Sequence, residues 1–375
     1  MSAADGTISF APGIGAKEVY PIRGFLAAVQ NVLRRDGSEA MSYGEIEGYQ
    51  PLRATVSHIL SSQGIPTYPE DVLITSGSQQ AIALAAHLLL RPGDSVLLEN
   101  PTYSGAMMVF RALGVRMVGI PVDQGGMKVE SAETLLRKAH PSLIYTVPTF
   151  HNPTGTCLST DRRHQLIQLA ERYNVPVVED EFAGDLRYGG QSKPAFKTLD
   201  PGGMVIYIGT FSKVLMPALR IGYIVASGPV LKLLQERKQM TDLGTSTLIQ
   251  RALETYITVG RYESYLNRAR RVYRERRDAM EAAIRTYMPE GTTWTSPDGG
   301  LFIWLQLPEG LSSSDLYPVA VQQGVSYAPG ALFFHDAEDS SYMRLNFALH
   351  PSETIGEGIL RLGRAVDLYR DMSQT

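Results

Sequence analysis

A single cysteine, Cys157, rules out an internal disulfide framework in this 375-residue chain, and no Cys/His spacing resembles a metal site. Such a chain suits a reducing compartment. Long hydrophobic runs are missing too. The longest, residues 82–90, contains His87 and stops at Arg91-Pro92, well short of the roughly 20 residues a membrane helix needs. The start, Met1 to Gly6, has neither the basic region nor the apolar core of a secretory signal. Nor is there an excess of one charge: a net charge of -3 favours neither nucleic acid nor an anionic membrane. These absences predict a cytoplasmic protein without nucleic-acid or membrane partners.

What is present is an ordinary globular composition, 44% hydrophobic and 19% charged, in a chain too long for one small core. Two lobes are expected. Between about Ser42 and Gly228, short β-rich runs (72–76, 96–99, 143–147, 176–179, 205–209 and 221–226) alternate with helix-period segments (79–90, 105–113, 160–173 and 229–240). That alternation is the signature of βαβ units around a mainly parallel sheet. Past Gly244 the pattern changes to helices over 246–258 and 261–287, strands over 300–307 and 343–347, and a last helix from Glu353 to about Tyr369. The predicted fold is α/β: a large domain with a mainly parallel sheet between helices, of the seven-stranded type by a family resemblance that the motifs carry, plus a smaller α+β domain. Residues 1–41 form an N-terminal segment shared with the small domain and covering the site, 42–262 the large domain, and 263–375 the small one. The arginines at 268, 270, 271, 274, 276 and 277 are interleaved with Glu275 and Glu281 at helical spacing, which reads as a solvated, ion-paired helix face.

The most informative residue is Lys213. Its segment, Thr210-Phe211-Ser212-Lys213, directly follows the apolar run 205–209 and lies seven residues before Arg220. A lysine delivered by a strand end into a partly apolar pocket deprotonates easily, because desolvation disfavours the ammonium, and the neutral amine condenses with aldehydes. The two hydroxyls and the arginine suit a dianionic phosphate. Together they describe a covalent site for pyridoxal phosphate.

Other residues follow strand ends in the same way. Asp180 closes the run 175–179 and is placed to keep a pyridine nitrogen protonated; alternation turns Glu179 and Glu181 to the other side. Asn152, in His151-Asn152-Pro153-Thr154-Gly155, can donate to the ring phenolate oxygen, though Asn-Pro and Thr-Gly are also plain turn dipeptides. Gly77-Ser78-Gln79-Gln80 opens a helix whose free amides can cradle phosphate or whose Ser78 is simply a cap. Tyr103 can stack on the ring or be a packed aromatic. Each has an ordinary structural reading alone; their shared position at carboxyl ends of predicted parallel strands speaks for a site.

With these motifs the chain resembles the fold type I pyridoxal phosphate enzymes of the class I/II aminotransferase family, from about Ile8 to Ala365. The resemblance implies that Lys213 is the Schiff-base lysine, Asp180 the pyridine-nitrogen partner, Asn152 the phenolate donor and Tyr103 the stacking residue. It places Ser78, Gln79, Thr210, Ser212 and Arg220 at the phosphate, and sends Tyr43, in Ser42-Tyr43-Gly44, to the phosphate of a neighbouring subunit, implying a homodimer with shared sites. Arg344, in Met343-Arg344-Leu345-Asn346-Phe347, matches the arginine that clamps the substrate α-carboxylate. Residues 13–23, which carry Gly15, are expected to line the side-chain pocket or close over it. The segments 296–302 and 327–330 look closest to aminoadipate/kynurenine-type aminotransferases and to the aminotransferase-like half of winged-helix regulators; too few residues precede Ile8 for a winged helix, so an enzyme is expected.

Two departures stand out. The family's tyrosine two or three residues after the ring aspartate is replaced by Phe182 and Ala183. The N-terminal helix with which aminoadipate-type enzymes read distal substrate groups is not evident. The implied activity is amino-group transfer between an L-amino acid and a 2-oxo acid. The same Cα deprotonation also begins β- or γ-elimination, replacement or oxidation, which the missing hydroxyl keeps in view.

Overall fold

Apolar runs between residues 72 and 225 assemble into an eight-stranded sheet in the computed structural model, which describes residues 6–336 and 340–373. Met1 to Asp5 therefore lie outside the described residues. The strand order is Val72–Thr75, Gly222–Val225, Val205–Thr210, Val177–Glu181, Leu143–Thr146, Ser95–Asn100, Arg116–Asp123 and Gly126–Met127. The five strands from Val205–Thr210 to Arg116–Asp123 are parallel. Gly222–Val225 runs antiparallel to both neighbours, and Gly126–Met127 folds back on the edge as a short hairpin. This is the expected α/β sheet of seven main strands. Its central strands are buried along most of their length, and Val205–Thr210 at all six positions. Burial of a valine or isoleucine there contributes about 1.5–3 kcal/mol, and helices on both faces supply the cover.

The Arg116–Asp123 strand has no counterpart among the sequence-predicted runs. It lies near the edge, is mostly half-exposed and contains Pro121, so it lacks the continuous apolar run of a central strand. Four helices also escaped the periodicity: Ile22–Asp36, Gln50–Ser62, Val129–Ala139 and Ser313–Gln322. The first lies in the N-terminal segment. Only Ala28 and Val32 of it are buried, while Ile22 and Leu26 are exposed, so its apolar stripe is thin. It packs on Thr247–Thr258, with Phe25 beside Tyr256.

The second sheet is antiparallel, in the order Thr293–Trp294, Phe302–Gln306, Tyr342–Asn346 and Ala328–Pro329. Ile8–Ser9 pairs in parallel with Val325–Ser326, which ties the N-terminal segment to this lobe. The 27-residue helix Arg261–Tyr287 packs along Ser352–Ser373 and reaches back to the large sheet, where Tyr262 Oη donates to Asp185 and Tyr265 Oη to the Leu215 carbonyl. Its arginine run is not a uniformly solvated face. Arg277 lies 3.9 Å from Glu281, in line with the expected pairing, but it bonds Asp278 more closely; Arg276 is buried and donates to the Ala348 carbonyl and Glu18, while Arg268 donates to the Val19 carbonyl.

Candidate active site

Parallel register brings the carboxyl ends of Val177–Glu181 and Val205–Thr210 to one edge of the sheet, with Asp180 opposite Ile208 and Lys213 three residues beyond Thr210. Lys213 Nζ donates to the Gly13 carbonyl at 2.6 Å. Burial, helped by the nearby charges of Arg344 and Arg220, lowers its pKa to about 8. At pH 7 roughly a tenth of such an amine is neutral, against a few parts in ten thousand for a free lysine.

Asp180 is buried, and its two oxygens differ. Oδ2 accepts from Tyr145 Oη at 2.6 Å; Oδ1 has no partner. Burial pushes the carboxyl up to about 6 against the Tyr145 hydrogen bond. Glu179 turns to the opposite side and takes the backbone N–H groups of Phe196 and Lys197. A second acid, Glu99, is also fully buried, held by Thr146 Oγ1 at 2.5 Å and pushed up to about 7 by burial.

Asn152 follows in a loop that begins after Thr146, and its Oδ1 accepts from Arg344 Nη1 at 2.8 Å. Arg344 comes from the small sheet. Its Nη2 donates to the Ala11 carbonyl at 2.7 Å, its guanidinium lies over the rings of Phe302 (4.1 Å) and Phe333 (4.8 Å), and burial lowers its pKa to about 10.

The phosphate-type residues converge at the start of helix Ser78–Leu89. Gly77 has φ 88°, and a Cβ on it would come within 2.7 Å of Arg220 Nη2; a Cβ on Gly222 would come within 2.8 Å of the Ser78 nitrogen. Both glycines are therefore required by close approach. Arg220 donates to the Ser76 carbonyl at 3.1 Å and lies 3.5 Å from Ser212 Oγ, while Thr210 Oγ1 accepts from the Ser212 nitrogen at 3.1 Å. The Gln79 side chain points elsewhere: it donates to the Gly105 carbonyl and accepts from Tyr103 Oη at 3.3 Å, so it fixes the tyrosine and leaves only its backbone amide for an anion.

Tyr43, Gly15 and Phe182 have surroundings of their own. Tyr43 is 91% exposed in a cleft of about 610 Å³ formed with residues 40–44 and 243–248. Gly15 lies under Tyr273, whose hydroxyl would collide with a Cβ there; Gly13, two residues earlier, is the one at Lys213. Phe182 stacks on Phe302, with centroids 6.3 Å apart. Tyr145 was missed by sequence reasoning. The available signal was a tyrosine inside an apolar strand beside that of Asp180, with alternation placing both on one face.

A family model, aminotransferase class I and II, matches residues 18–362. The chain belongs to the class I and II aminotransferases. The aminotransferase is 38% identical to aromatic-amino-acid aminotransferase 1 of Thermococcus litoralis over 96% of its own length and 88% of that protein. Its fold matches the alpha-aminoadipate aminotransferase of Thermus thermophilus, solved with N-(5'-phosphopyridoxyl)-L-leucine, at a TM-score of 0.93 and 37% identity, covering 98% of this chain and 94% of that one. It also matches the kynurenine aminotransferase of Pyrococcus horikoshii, at a TM-score of 0.94 and 38% identity, covering 98% and 92%. The cofactor of the aminotransferase is pyridoxal 5'-phosphate. The residues present fit it: a half-buried amine with a lowered pKa, a buried carboxylate oxygen without a partner, and a glycine-lined cradle beside an arginine. Among the described residues no helix is long and apolar enough to cross a membrane.

Proposed function

We propose that the aminotransferase moves an amino group between an L-amino acid and a 2-oxo acid with Lys213 as its catalytic residue. The observation that carries this is the half-buried Lys213 amine at the sheet edge, bonded to the Gly13 carbonyl at 2.6 Å and lowered to about 8 by desolvation and the charges of Arg344 and Arg220. Bound pyridoxal 5'-phosphate supplies an aldehyde for amine condensation and a ring that withdraws electrons from the substrate Cα.

The chain's own residues do the rest. Neutral Lys213 takes the Cα proton and returns it one atom away. Asp180 offers Oδ1 to the pyridine nitrogen and holds a proton there, and Tyr145 keeps Asp180 ionised by donating to Oδ2. Arg344 binds the α-carboxylate with Asn152 beside it, which sets the orientation of the Cα bonds. Ser78, Thr210, Ser212, Arg220 and the Gln79 amide hold the phosphate, and Tyr103, fixed by Gln79, covers the ring. The Pro12 to Gly15 segment, anchored by Asn346 Nδ2 at the Pro12 and Ile14 carbonyls, closes over Lys213 and excludes water. Residues 42–262 act as the cofactor-binding domain, with 1–41 and 263–375 as the covering one. Tyr43, exposed and outside its own chain's site, serves the phosphate of a second copy in a homodimer.

The test is a single turnover. Cofactor-loaded enzyme mixed with an amino acid alone should release one equivalent of 2-oxo acid per site and no ammonia, and Lys213→Ala should leave no borohydride-reducible linkage to the protein. Ammonia released along with the oxo acid would mean elimination or oxidation. A reducible linkage surviving in the variant would remove Lys213 from its role.

A further inference from the structure

Behind the phosphate cradle lies a charged pair with no direct part in the chemistry above. Lys238, on helix Gly228–Asp242, is completely buried, and its Nζ donates to Asp242 Oδ1 at 2.7 Å. A lysine is almost never fully buried without a partner, and breaking a buried pair costs far more than losing a surface one. Asp242 is also the centre of a wider net. Its Oδ2 accepts from Ser76 Oγ at 3.1 Å and Gln80 Nε2 at 2.8 Å, and its Oδ1 accepts the Gly244 backbone N–H at 3.1 Å. Gln80 returns to the same loop, its Oε1 taking the Ser76 backbone N–H at 2.7 Å. Burial opposes ionisation of Asp242, but the Lys238 and Gln80 hydrogen bonds outweigh it and hold the carboxyl below its usual value.

Two surfaces meet at this node. On one side, Ser76 precedes Gly77 and Ser78, and its carbonyl takes a hydrogen bond from Arg220. Both Ser76's amide and its hydroxyl are thereby fixed from behind, leaving the Ser78 amide and Arg220 aimed outward. On the other side, Gly244 and Thr245 belong to the segment that forms, with residues 40–44, the cleft containing Tyr43; Ser76 Oγ also lies 3.4 Å from Thr245 Oγ1. Gly244 has φ 130° and Leu243 φ 54°, backbone that L side chains rarely adopt, so this turn needs an anchor.

We propose that the Lys238–Asp242 pair is the positioning device of the phosphate cradle and couples binding of the cofactor's phosphate monoester to the pairing of subunits. The inference rests on reading Ser78 with Arg220 as the phosphate site and the Tyr43 cleft as the subunit face. One charge pair, its lysine fully buried and its aspartate partly so, touches both surfaces, so ordering one favours the other, and the coupling is reciprocal.

The experiment compares wild type, Asp242→Asn and Gln80→Met in binding pyridoxal 5'-phosphate and pyridoxal, which lacks the phosphate. Dimer dissociation is followed by sedimentation with and without cofactor. Asp242→Asn should lose affinity for the phosphorylated compound by about tenfold or more, within the usual range of site coupling, while affinity for pyridoxal changes little. The cofactor-induced tightening of the wild-type dimer should vanish in this variant. Gln80→Met keeps the ion pair, so it decides the matter if Asp242→Asn does not fold; it should show the same phosphate-selective loss at smaller size. Equal losses for both compounds, or a dimer still tightened by cofactor in Asp242→Asn, would overturn the proposal and leave the pair a fold determinant. Wild-type protein that binds pyridoxal as tightly as pyridoxal 5'-phosphate would instead refute the phosphate-site reading itself.

Discussion

Replacing Tyr145 by phenylalanine tests the electrostatics of the site with one atom. Tyr145 is fully buried, its ring packs edge-on against Phe110 at 5.6 Å, and its hydroxyl makes one hydrogen bond, 2.6 Å to Asp180 Oδ2. Phenylalanine keeps the ring contact and deletes the donor. A hydrogen bond to an ionised carboxylate contributes about 1.5–3 kcal/mol, which at 1.36 kcal/mol per pKa unit raises Asp180 by about one to two. From about 6 the carboxyl would move to roughly 7–8 in the cofactor-free protein. At pH 7.5 the protonated fraction then rises from about 3% to between a quarter and three quarters. A neutral acid cannot hold the pyridinium proton as a charge partner.

The sign follows from linkage. Cofactor binds the ionised form, so affinity is full above the pKa of free Asp180 and declines as pH falls through it. Wild-type affinity for pyridoxal 5'-phosphate should weaken below about pH 6, and the Tyr145→Phe curve should be displaced upward by one to two pH units. A fluorescence titration of cofactor-free protein across pH 5–9 gives both curves. Superimposable profiles would refute the reasoning, because they would show that Asp180 does not depend on this hydroxyl.

Two further outcomes follow from the same groups. The rise of Asp180 from 3.8 to about 6 means that its buried charge destabilises the cofactor-free fold above pH 6 by up to about 3 kcal/mol; the penalty is absent below pH 3.8 and develops between the two values. Asp180→Asn should therefore be more stable to urea than wild type at pH 7.5, with the gain shrinking towards pH 4, while cofactor affinity falls; an equally unstable variant at pH 7.5 would count against the burial argument. Arg344→Ala removes a charge-assisted carboxylate contact of about 1.5–3 kcal/mol, so KM for the amino acid should rise by about 10- to 150-fold with a smaller change in kcat. An unchanged KM would take the carboxylate clamp away from Arg344.

The legibility of the site in the sequence was uneven for a physical reason. Lys213 and Asn152 follow central strands and Asp180 lies near the end of another, all with buried apolar residues, so the apolar run and the polar residue at its end are adjacent in the chain. The Arg116–Asp123 strand and the Ile22–Asp36 helix bury too little of themselves to leave such a run, and they were missed. Contacts between distant segments were illegible in a different way. Nothing in the local pattern says that the Gly13 carbonyl meets Lys213 200 residues away, or that Asp242 reaches back 166 residues to Ser76. Gln79 shows the limit from the opposite side: the sequence reading put it at the phosphate, but its side chain serves Tyr103.

The substituted tyrosine and the proposed carboxylate clamp are parts of one arrangement. Phe182 stacks on one side of Phe302, and Arg344 lies over the Phe302 ring, with Phe333 as a second aromatic partner. Among the described residues no carboxylate offsets the Arg344 charge, and burial lowers its pKa to about 10. Aromatic faces are suited to that task, since they stabilise a cation without occupying its N–H groups. Of the five N–H groups of the guanidinium, the Asn152 oxygen and the Ala11 carbonyl each take one, and Nε has no partner at all. A buried cation held by π faces, with donors unspent, gains most when a carboxylate arrives to pair with it. An acidic residue beside Arg344 would remove that gain by pairing first. Phe182 thus has a packing reason to be a phenylalanine: it extends the apolar wall behind Phe302 that keeps the Arg344 charge uncompensated until substrate binds.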